Sequence, residues 1–309
     1  MSSSFLNFLC SWSFLFLGQK PTYIHIGEVH LWYETFGKKG DPALLLIMGG
    51  GCQGIMWPTA LCERLTKEGF FVIRYDHRDM GLSSSIDYEK KPYDLMDLSR
   101  DAIGILDALE IKKAKVVGIS MGGLIATLLG AYFPDRIDSI VPIAITSDFS
   151  TFLDPSANNL SPLPKPKKEC LDYLNYVLAM IDKVATKEEK VALYVRGWEI
   201  LNGPETYFDK ELYQQLITQS MDRMRYPQGY NNQTSAMSSS LKKLNEALSL
   251  IQVPTHIIHG TQDPFFSIEH GEELVKSIHG AQLFLFKGMG HNLNPLFYDD
   301  LIRVIKNGV

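Results

Sequence analysis

The sequence predicts an α/β fold: a mostly parallel central sheet flanked by helices and interrupted once by an all-helical insertion. Three observations carry this. Short apolar runs, such as residues 43–48 (ALLLIM) and 71–75 (FVIRY), have the length and composition of strands buried on both faces. They alternate with segments of helical period at residues 57–68, 95–109 and 121–132, the rhythm of strand–helix units joined by short loops. From about residue 150 to residue 250 that rhythm stops, and only helical periodicity is found. A chain of 309 residues, 45% hydrophobic and 21% charged, is ordinary for a globular protein and long enough for one large α/β domain or two ordinary ones. A net charge of −5 without any dense Lys/Arg block argues against a dedicated nucleic-acid binder.

Residues 1–20 form an apolar extension, nearly all apolar or small from Phe5 to Leu17. The run is shorter than the roughly 20 residues that span a bilayer. It has the length of a signal-peptide core, yet no Lys or Arg precedes it and no small-x-small cleavage site follows. Three readings stand: an atypical secretion signal, a segment touching a membrane or a partner, and a helix covering apolar surface. The last two together are favoured, which places the chain in the cytoplasm with peripheral membrane contact through residues 5–17. The four cysteines, Cys10, Cys52, Cys62 and Cys170, show neither metal-ligand spacing nor a disulfide framework and read as free thiols in a reducing compartment.

Residues 22–26 and 30–36 alternate in strand fashion around Gly27-Glu28, a hairpin signal. The buried strand at 43–48 ends in Gly49-Gly50-Gly51, and the strand at 71–75 in the polar turn from Asp76 to Gly81. An amphipathic helix spans 95–109; then come a strand at 114–119, a helix to about 132 and a strand at 137–145. The insertion, 150–250, opens with Pro155, Pro162, Pro164 and Pro166 and carries helical patterns at 169–184, 187–201, 210–224 and, more loosely, 231–250. It is read as a cap over the active site; the other reading is a subdomain that only adds stability. The sheet domain, 21–149 and 251–309, then resumes with a strand at 255–259, a helix at 268–278, a strand at 282–286 and a closing helix at 296–306.

Between the strand at 114–119 and the next helix lies Gly118-Ile119-Ser120-Met121-Gly122, a Gly-x-Ser-x-Gly motif. A serine on a sharp strand-to-helix turn sits in a strained conformation where side chains two positions away would collide, so glycine is needed there. The turn lifts the Ser120 hydroxyl above the carboxyl edge of the sheet, and the first amides of the helix point at whatever it attacks. A hydroxyl needs a base to take its proton. His291, in a Gly-Met-Gly-His turn, is the candidate, and Asp263 is the carboxylate to hold its tautomer, with Asp148 as rival acid. For the oxyanion, the Met121 amide and that of Gly50 are chosen, with Gly49 or Gly51 as substitutes for the latter. Ser120, Asp263, His291 and Gly50 each follow a predicted strand, where catalytic groups collect in parallel sheets. His256 and His259 read as satisfied core residues, His77 as part of an ion-pair and turn network, and His25, His30, His270 and His279 as surface residues.

The chain resembles the α/β-hydrolase fold family of serine hydrolases, and within it the aclacinomycin methylesterase-like subgroup. The matching segments are GEVHLWYETFG (27–37), DPALLLIMGGG (41–51), FVIRYDHRDMGLS (71–83), AKVVGISMGG (114–123), VPTHIIHGTQDP (253–264) and GMGH (288–291). The resemblance implies a Ser-His-Asp triad of Ser120, His291 and Asp263, an oxyanion hole from Gly50 and Met121, a helical cap, and no cofactor or metal. Residues 1 to about 20 are extra relative to the family, and Met48-Gly49 stands where many members have His-Gly. A serine nucleophile sets aside the haloalkane and epoxide branches, which use aspartate.

The expected function is hydrolysis of a carboxylic ester, on a small apolar molecule, through an acyl-enzyme. Activity is expected to fall as His291 becomes protonated at low pH. The same triad could instead cleave a lactone, an amide or a carbon–carbon bond next to a ketone, and the fold also serves non-catalytic small-molecule binding proteins. Aromatic residues of the insertion (Tyr173, Tyr176, Tyr194, Trp198, Tyr207, Phe208, Tyr213) hint at an apolar substrate but also suit the insertion's own core.

Overall fold

The computed structural model describes residues 21–148, 161–181 and 183–307. The apolar segment 5–17, Cys10 and the Pro155 region of the insertion lie outside these residues.

Eight strands form one sheet in the order β1-β2-β4-β3-β5-β6-β7-β8. They are β1 (Thr22–Ile26), β2 (Val29–Phe36), β3 (Ala43–Ile47), β4 (Phe71–Tyr75), β5 (Ala114–Ile119), β6 (Ile137–Ile143), β7 (His256–Gly260) and β8 (Gln282–Phe286). The β1–β2 hairpin and the β2–β4 pair are antiparallel, and every other pair is parallel. The strands β3, β4, β5 and β7 are buried along their whole length, as strands between two helical layers must be, and they take Arg74, Lys115, His256 and His259 into the interior with them. The helices are α1 (Thr59–Lys67), α2 (Leu95–Ala108), α3 (Met121–Tyr132), α4 (Lys168–Met180), α5 (Lys187–Leu201), α6 (Lys210–Arg223), α7 (Gly229–Ser239), α8 (Leu241–Leu248), α9 (Ile268–Ser277) and α10 (Tyr298–Asn307). Side chains of α2, α3, α8 and α9 fill the core on one sheet face, and those of α1 and α10 the core on the other.

Most departures from the sequence-based expectation are at element ends. The helix expected from residue 57 starts at Thr59, after a 3₁₀ turn at Gly54–Met56, because Pro58 fits only the edge of a helix. The loose pattern at 231–250 is two helices, α7 and α8, which meet at Ser240, and a 3₁₀ turn at Pro295–Phe297 precedes the closing helix. Helices α4 to α8 all lie between β6 and β7 in the chain. The inner aromatics of this insertion pack on one another: the Tyr213 ring lies 5.2 Å from Trp198 and 4.9 Å from Phe208, whereas Tyr176 and Tyr207 are exposed.

One expectation is corrected. His270 is fully buried, not on the surface. It lies in the first turn of α9 and joins two elements: Nδ1 is bonded to Thr146 Oγ1 at 2.8 Å and Nε2 to the carbonyl of Pro164 at 2.9 Å. The segment that covers it is 106 residues away in the chain. Among the described residues, no helix is long and apolar enough to cross a membrane, and Cys52, Cys62 and Cys170 are free thiols.

Candidate active site

Ser120 stands between β5 and α3 with φ 54° and ψ −124°. Its amide is tied to Ile143 O of the neighbouring strand at 2.9 Å, which holds the turn in place. The two flanking glycines have no room for a side chain. A Cβ on Gly118 would stand 2.1 Å from Gly122 O, and one on Gly122 would stand 2.2 Å from Ile47 O. The strained backbone is held by close packing of three chain segments, and the hydroxyl is presented at the carboxyl edge of the sheet.

Asp263, after β7, is buried; His291, after β8, is nearly so. His291 Nδ1–H donates to Asp263 Oδ2 at 2.7 Å, while Asp263 Oδ1 accepts the amides of Phe265 at 2.8 Å and Phe266 at 2.9 Å. A carboxylate can only accept, so this bond puts the ring proton on Nδ1 and leaves Nε2 as a proton acceptor. Burial works to raise the Asp263 carboxyl. The imidazole of His291 with its hydrogen bond, then His259 and the Phe266 amide, outweigh burial and hold it below the usual carboxylate value. The rings of Phe265 and Phe266 stand edge-on to the imidazole at 5.0 and 5.5 Å and fix its plane. The side-chain hydrogen bond that His291 makes is the one to Asp263, and none joins it to Ser120 Oγ; such catalytic hydrogen bonds tighten when substrate binds.

Gly49, Gly50 and Gly51 follow β3 beside the serine turn: a Cβ on Gly49 would lie 3.3 Å from Ser120 Cβ, one on Gly50 3.5 Å from Met121 Sδ, and one on Gly51 2.7 Å from the Tyr230 ring. The Gly51 amide is already bonded to Gln233 Oε1 of α7 at 2.7 Å. Gln233 is fully buried and went unnoticed in the sequence, where it stands in a polar run, Asn231-Asn232-Gln233-Thr234-Ser235, that carries no sign of a buried member. His77 supports the same loop from below. Its Nε2–H donates to Met48 O at 3.0 Å, and burial above all pushes it down to about 4, so it stays neutral. The ion-pair network expected around it exists beside it, as Arg78–Asp101 and Arg223–Asp76. His256 and His259 are buried in β7, but only His259 Nε2 has a partner, the Phe266 carbonyl at 2.6 Å; Nδ1 of each is unpaired.

Ser120, His291, the three glycines and Met121 line one cavity of about 270 Å³ between the sheet edge and the insertion. Its wall contains Met48, Met56, Met121, Met221, Met224 and Met237, with Tyr173, Tyr194, Trp198 and Tyr230, and among the described residues no Asp, Glu, Lys or Arg lines it. Cys52 and Cys170 also line it, but burial pushes both thiols up to about 12, so neither is a thiolate. Asp148, the rival acid, does not take the His291 Nδ1 proton, which goes to Asp263. Among the described residues no group of three or more His, Cys, Asp or Glu is placed to hold a metal ion.

A parallel sheet covered on both faces, with a serine on a strained strand–helix turn at its carboxyl edge, is the architecture of the α/β hydrolases. Residues 42–296 match the family model described as alpha/beta hydrolase fold, and the chain belongs to that family, as a hydrolytic enzyme. It is 32% identical over 287 residues to a rhodomycin D methylesterase of Streptomyces sp. (strain C5), covering 90% of this chain and 94% of the relative. It is 29% identical over 242 residues to a 3-oxoadipate enol-lactonase of Acinetobacter baylyi (strain ATCC 33305 / BD413 / ADP1), covering 78% of this chain and 79% of the relative. Among solved structures, the enol-lactonase from Burkholderia xenovorans LB400 superposes with a TM-score of 0.72 at 22% identity, covering 93% of this chain and 99% of that one. At that identity the likeness speaks for the fold alone.

Proposed function

We propose that this enzyme hydrolyses a carboxylic ester of a neutral, largely apolar molecule, with Ser120 as nucleophile, His291 as general base and Asp263 as the acid that orients it. The observation that carries the reading is the buried Asp263–His291 hydrogen bond opening onto the cavity that Ser120 also lines. In the first half-reaction Ser120 Oγ attacks the ester carbonyl as His291 Nε2 takes its proton. The oxyanion of the tetrahedral intermediate accepts the amides of Met121 and Gly50. The imidazolium, stabilised by Asp263, then protonates the departing alcohol, which leaves an acyl-enzyme. Water attacks that ester as His291 takes its proton, and the imidazolium returns the proton to Ser120 Oγ as the free acid leaves. The bond between the Gly51 amide and Gln233 supports Gly50 over Gly51 as the second donor.

The substrate class follows from the cavity wall. Methionines are flexible and polarizable, so such a wall adapts to irregular or aromatic bodies. A carboxylate taken into it would lose its hydration with no cation among the described lining residues to replace it, at a cost of several kcal/mol. A 3-oxoadipate lactone carries such a carboxylate, so the wall favours the ester reading over the lactonase one. The name of the methylesterase relative supports a methyl ester as the scissile group. The product acid ionises at neutral pH and is disfavoured by the wall that accepted its ester.

The test is labelling with a fluorophosphonate probe, read by intact mass, alongside turnover of paired neutral and anionic esters. A single label lost in Ser120→Ala, with neutral methyl esters preferred, is expected. Parental turnover in Ser120→Ala would remove the nucleophile, and preference for an anionic lactone would overturn the substrate class.

A further inference from the structure

The end of α5 and the loop that carries His291 interlock. The His291 amide donates to Leu201 O at 2.7 Å. Asn202, 5% exposed, is the hub of the contact. Its Oδ1 accepts Nδ2–H of Asn292 at 3.0 Å and of Asn294 at 2.9 Å, and its Nδ2 donates to the carbonyls of Gly203 at 3.0 Å and Thr206 at 2.7 Å. Both lone pairs and both N–H groups of the amide are therefore used. Thr206 Oγ1 reaches Gly288 O at 2.7 Å, and Asn294 Nδ2 also reaches Tyr207 O at 2.6 Å. There is no slack at this seam: a Cβ on Gly290 would stand 2.1 Å from Leu201 O, and one on Gly203 would stand 1.9 Å from Gly288 O.

A loop with glycines on either side of Met289 has little intrinsic stiffness, so what holds the His291 ring must come from outside it. Asp263 and two phenyl rings fix the ring itself; the backbone beneath it is fixed by the insertion. We propose that Asn202 is a positioning residue for His291, holding the base in register with Ser120 from the far side of the loop. This inference rests on the reading of His291 as general base. Asn202 does not line the cavity, but its neighbour Leu201 and, one turn back, Trp198 do. The helix that forms part of the substrate wall thus also sets the base, so the insertion is a component of the catalytic apparatus as well as a cover.

The experiment compares Asn202→Leu, which is close in volume but has no hydrogen bonds, with Asn202→Asp, which keeps an acceptor for Asn292 and Asn294. Each is assayed for kcat and KM on a neutral methyl ester and for thermal unfolding. A displacement of about 1 Å at a reacting group costs roughly 10²-fold. The expected result is a kcat loss of about 10- to 100-fold in Asn202→Leu with KM within about threefold of the parent, and a kcat loss also in Asn202→Asp, whose carboxylate keeps the acceptor but meets the carbonyls of Gly203 and Thr206 without a donor. A core variant remote from the site, Ile305→Ala, chosen for comparable loss of stability, is expected to keep the parental kcat. Parental kcat in folded Asn202→Leu, or an equal loss in Ile305→Ala, would overturn the proposal. If Asn202→Leu fails to fold, Asn292→Ala and Asn294→Ala each remove one bond to the hub; parental kinetics in both would overturn it equally. Assay of His291→Ala separates the two levels. Retained activity there defeats the base assignment itself, whereas loss there with parental kinetics in the Asn202 and loop variants defeats only the role of Asn202.

Discussion

The steric demand at Ser120 is met by absence, since Gly118 and Gly122 leave room that any side chain would take. A Cβ on Gly122 would meet the backbone of β3, which cannot give way without disturbing the sheet. Gly122→Ala is therefore expected to lower stability by at least about 2 kcal/mol in urea unfolding, in the range of overpacked cores, and to abolish fluorophosphonate labelling. Asp263 makes a different prediction. Its carboxyl is held below the usual value, so it stays ionised as pH falls through the ordinary carboxylate range, and loss of activity well above that range belongs to another group. Asp263→Asn keeps the shape but offers His291 an N–H where the carboxylate accepted, which favours the wrong tautomer. The expected outcome is a kcat decrease of about 10⁴-fold with thermal stability nearly unchanged. A loss below tenfold would assign the acid elsewhere. The placement of Ser120, Asp263 and His291 around one cavity was legible because the proposed chemistry demands local signatures: glycines around a turn, an acid and a histidine after strands. Gln233, Asn202 and the burial of His270 were not, because each depends on a partner distant in sequence.

At the scale of elements, the insertion is fastened to the sheet at a second point, on the opposite side from Asn202. Arg223, in the last turn of α6, donates to Asp76 Oδ2 at 2.6 Å and to Gln53 Oε1 at 3.0 Å, and its guanidinium stacks 3.9 Å from the Trp32 ring. Gln53 in turn donates to Ser220 O at 2.7 Å, so the latch is continuous with the cavity wall. The Asp76 side chain is wholly buried. Burial raises its carboxyl above the usual value, against the opposing pull of Arg223 and the amides of Leu82 and Gly54. Arg223→Met leaves that carboxylate without its cation, and a loss of about 3–5 kcal/mol is expected at neutral pH. The sign of the pH dependence follows. Without Arg223 the folded-state value rises further above the unfolded one, so the folded protein recovers stability by protonating Asp76 as pH falls. The destabilisation measured in urea should be smaller at pH 5 than at pH 7, and an equal loss at both would show that Asp76 is not the group left exposed to the deficit. The helices were visible as periodic segments, but their ends and this latch were not. Ends are set by single caps such as the Thr186–Glu189 capping box, and the latch joins residues 147 positions apart.

The molecule as a whole encloses histidines that its unfolded chain would expose to water. His77, His256, His259 and His270 all lie in the interior, and burial is the leading cause that lowers each of them, His77 to about 4. A group with a depressed folded-state value contributes stability that is complete above its unfolded value and is lost as pH falls toward the folded one, because only the unfolded chain takes up the proton. Between the ordinary histidine value of 6.5 and about 4, His77 alone accounts for a loss on the order of 3 kcal/mol. Asp76 and Asp101, raised by burial, act in the opposite sense and stabilise the folded state as pH falls toward their own values. The net slope is thus a contest between interior histidines and interior carboxylates, and a single variant isolates one side of it. His77→Gln keeps an N–H for the Met48 carbonyl but cannot titrate. Its stability deficit relative to the parent, measured in urea at pH 7, should shrink by on the order of 3 kcal/mol by pH 4 as the parent loses what His77 supplied. A deficit that stays constant over that range would mean that His77 is protonated in the folded protein, or that its burial opens before the molecule unfolds. The same bond holds the glycine loop in front of Ser120, so labelling of His77→Gln at pH 7 reports whether that loop tolerates the exchange.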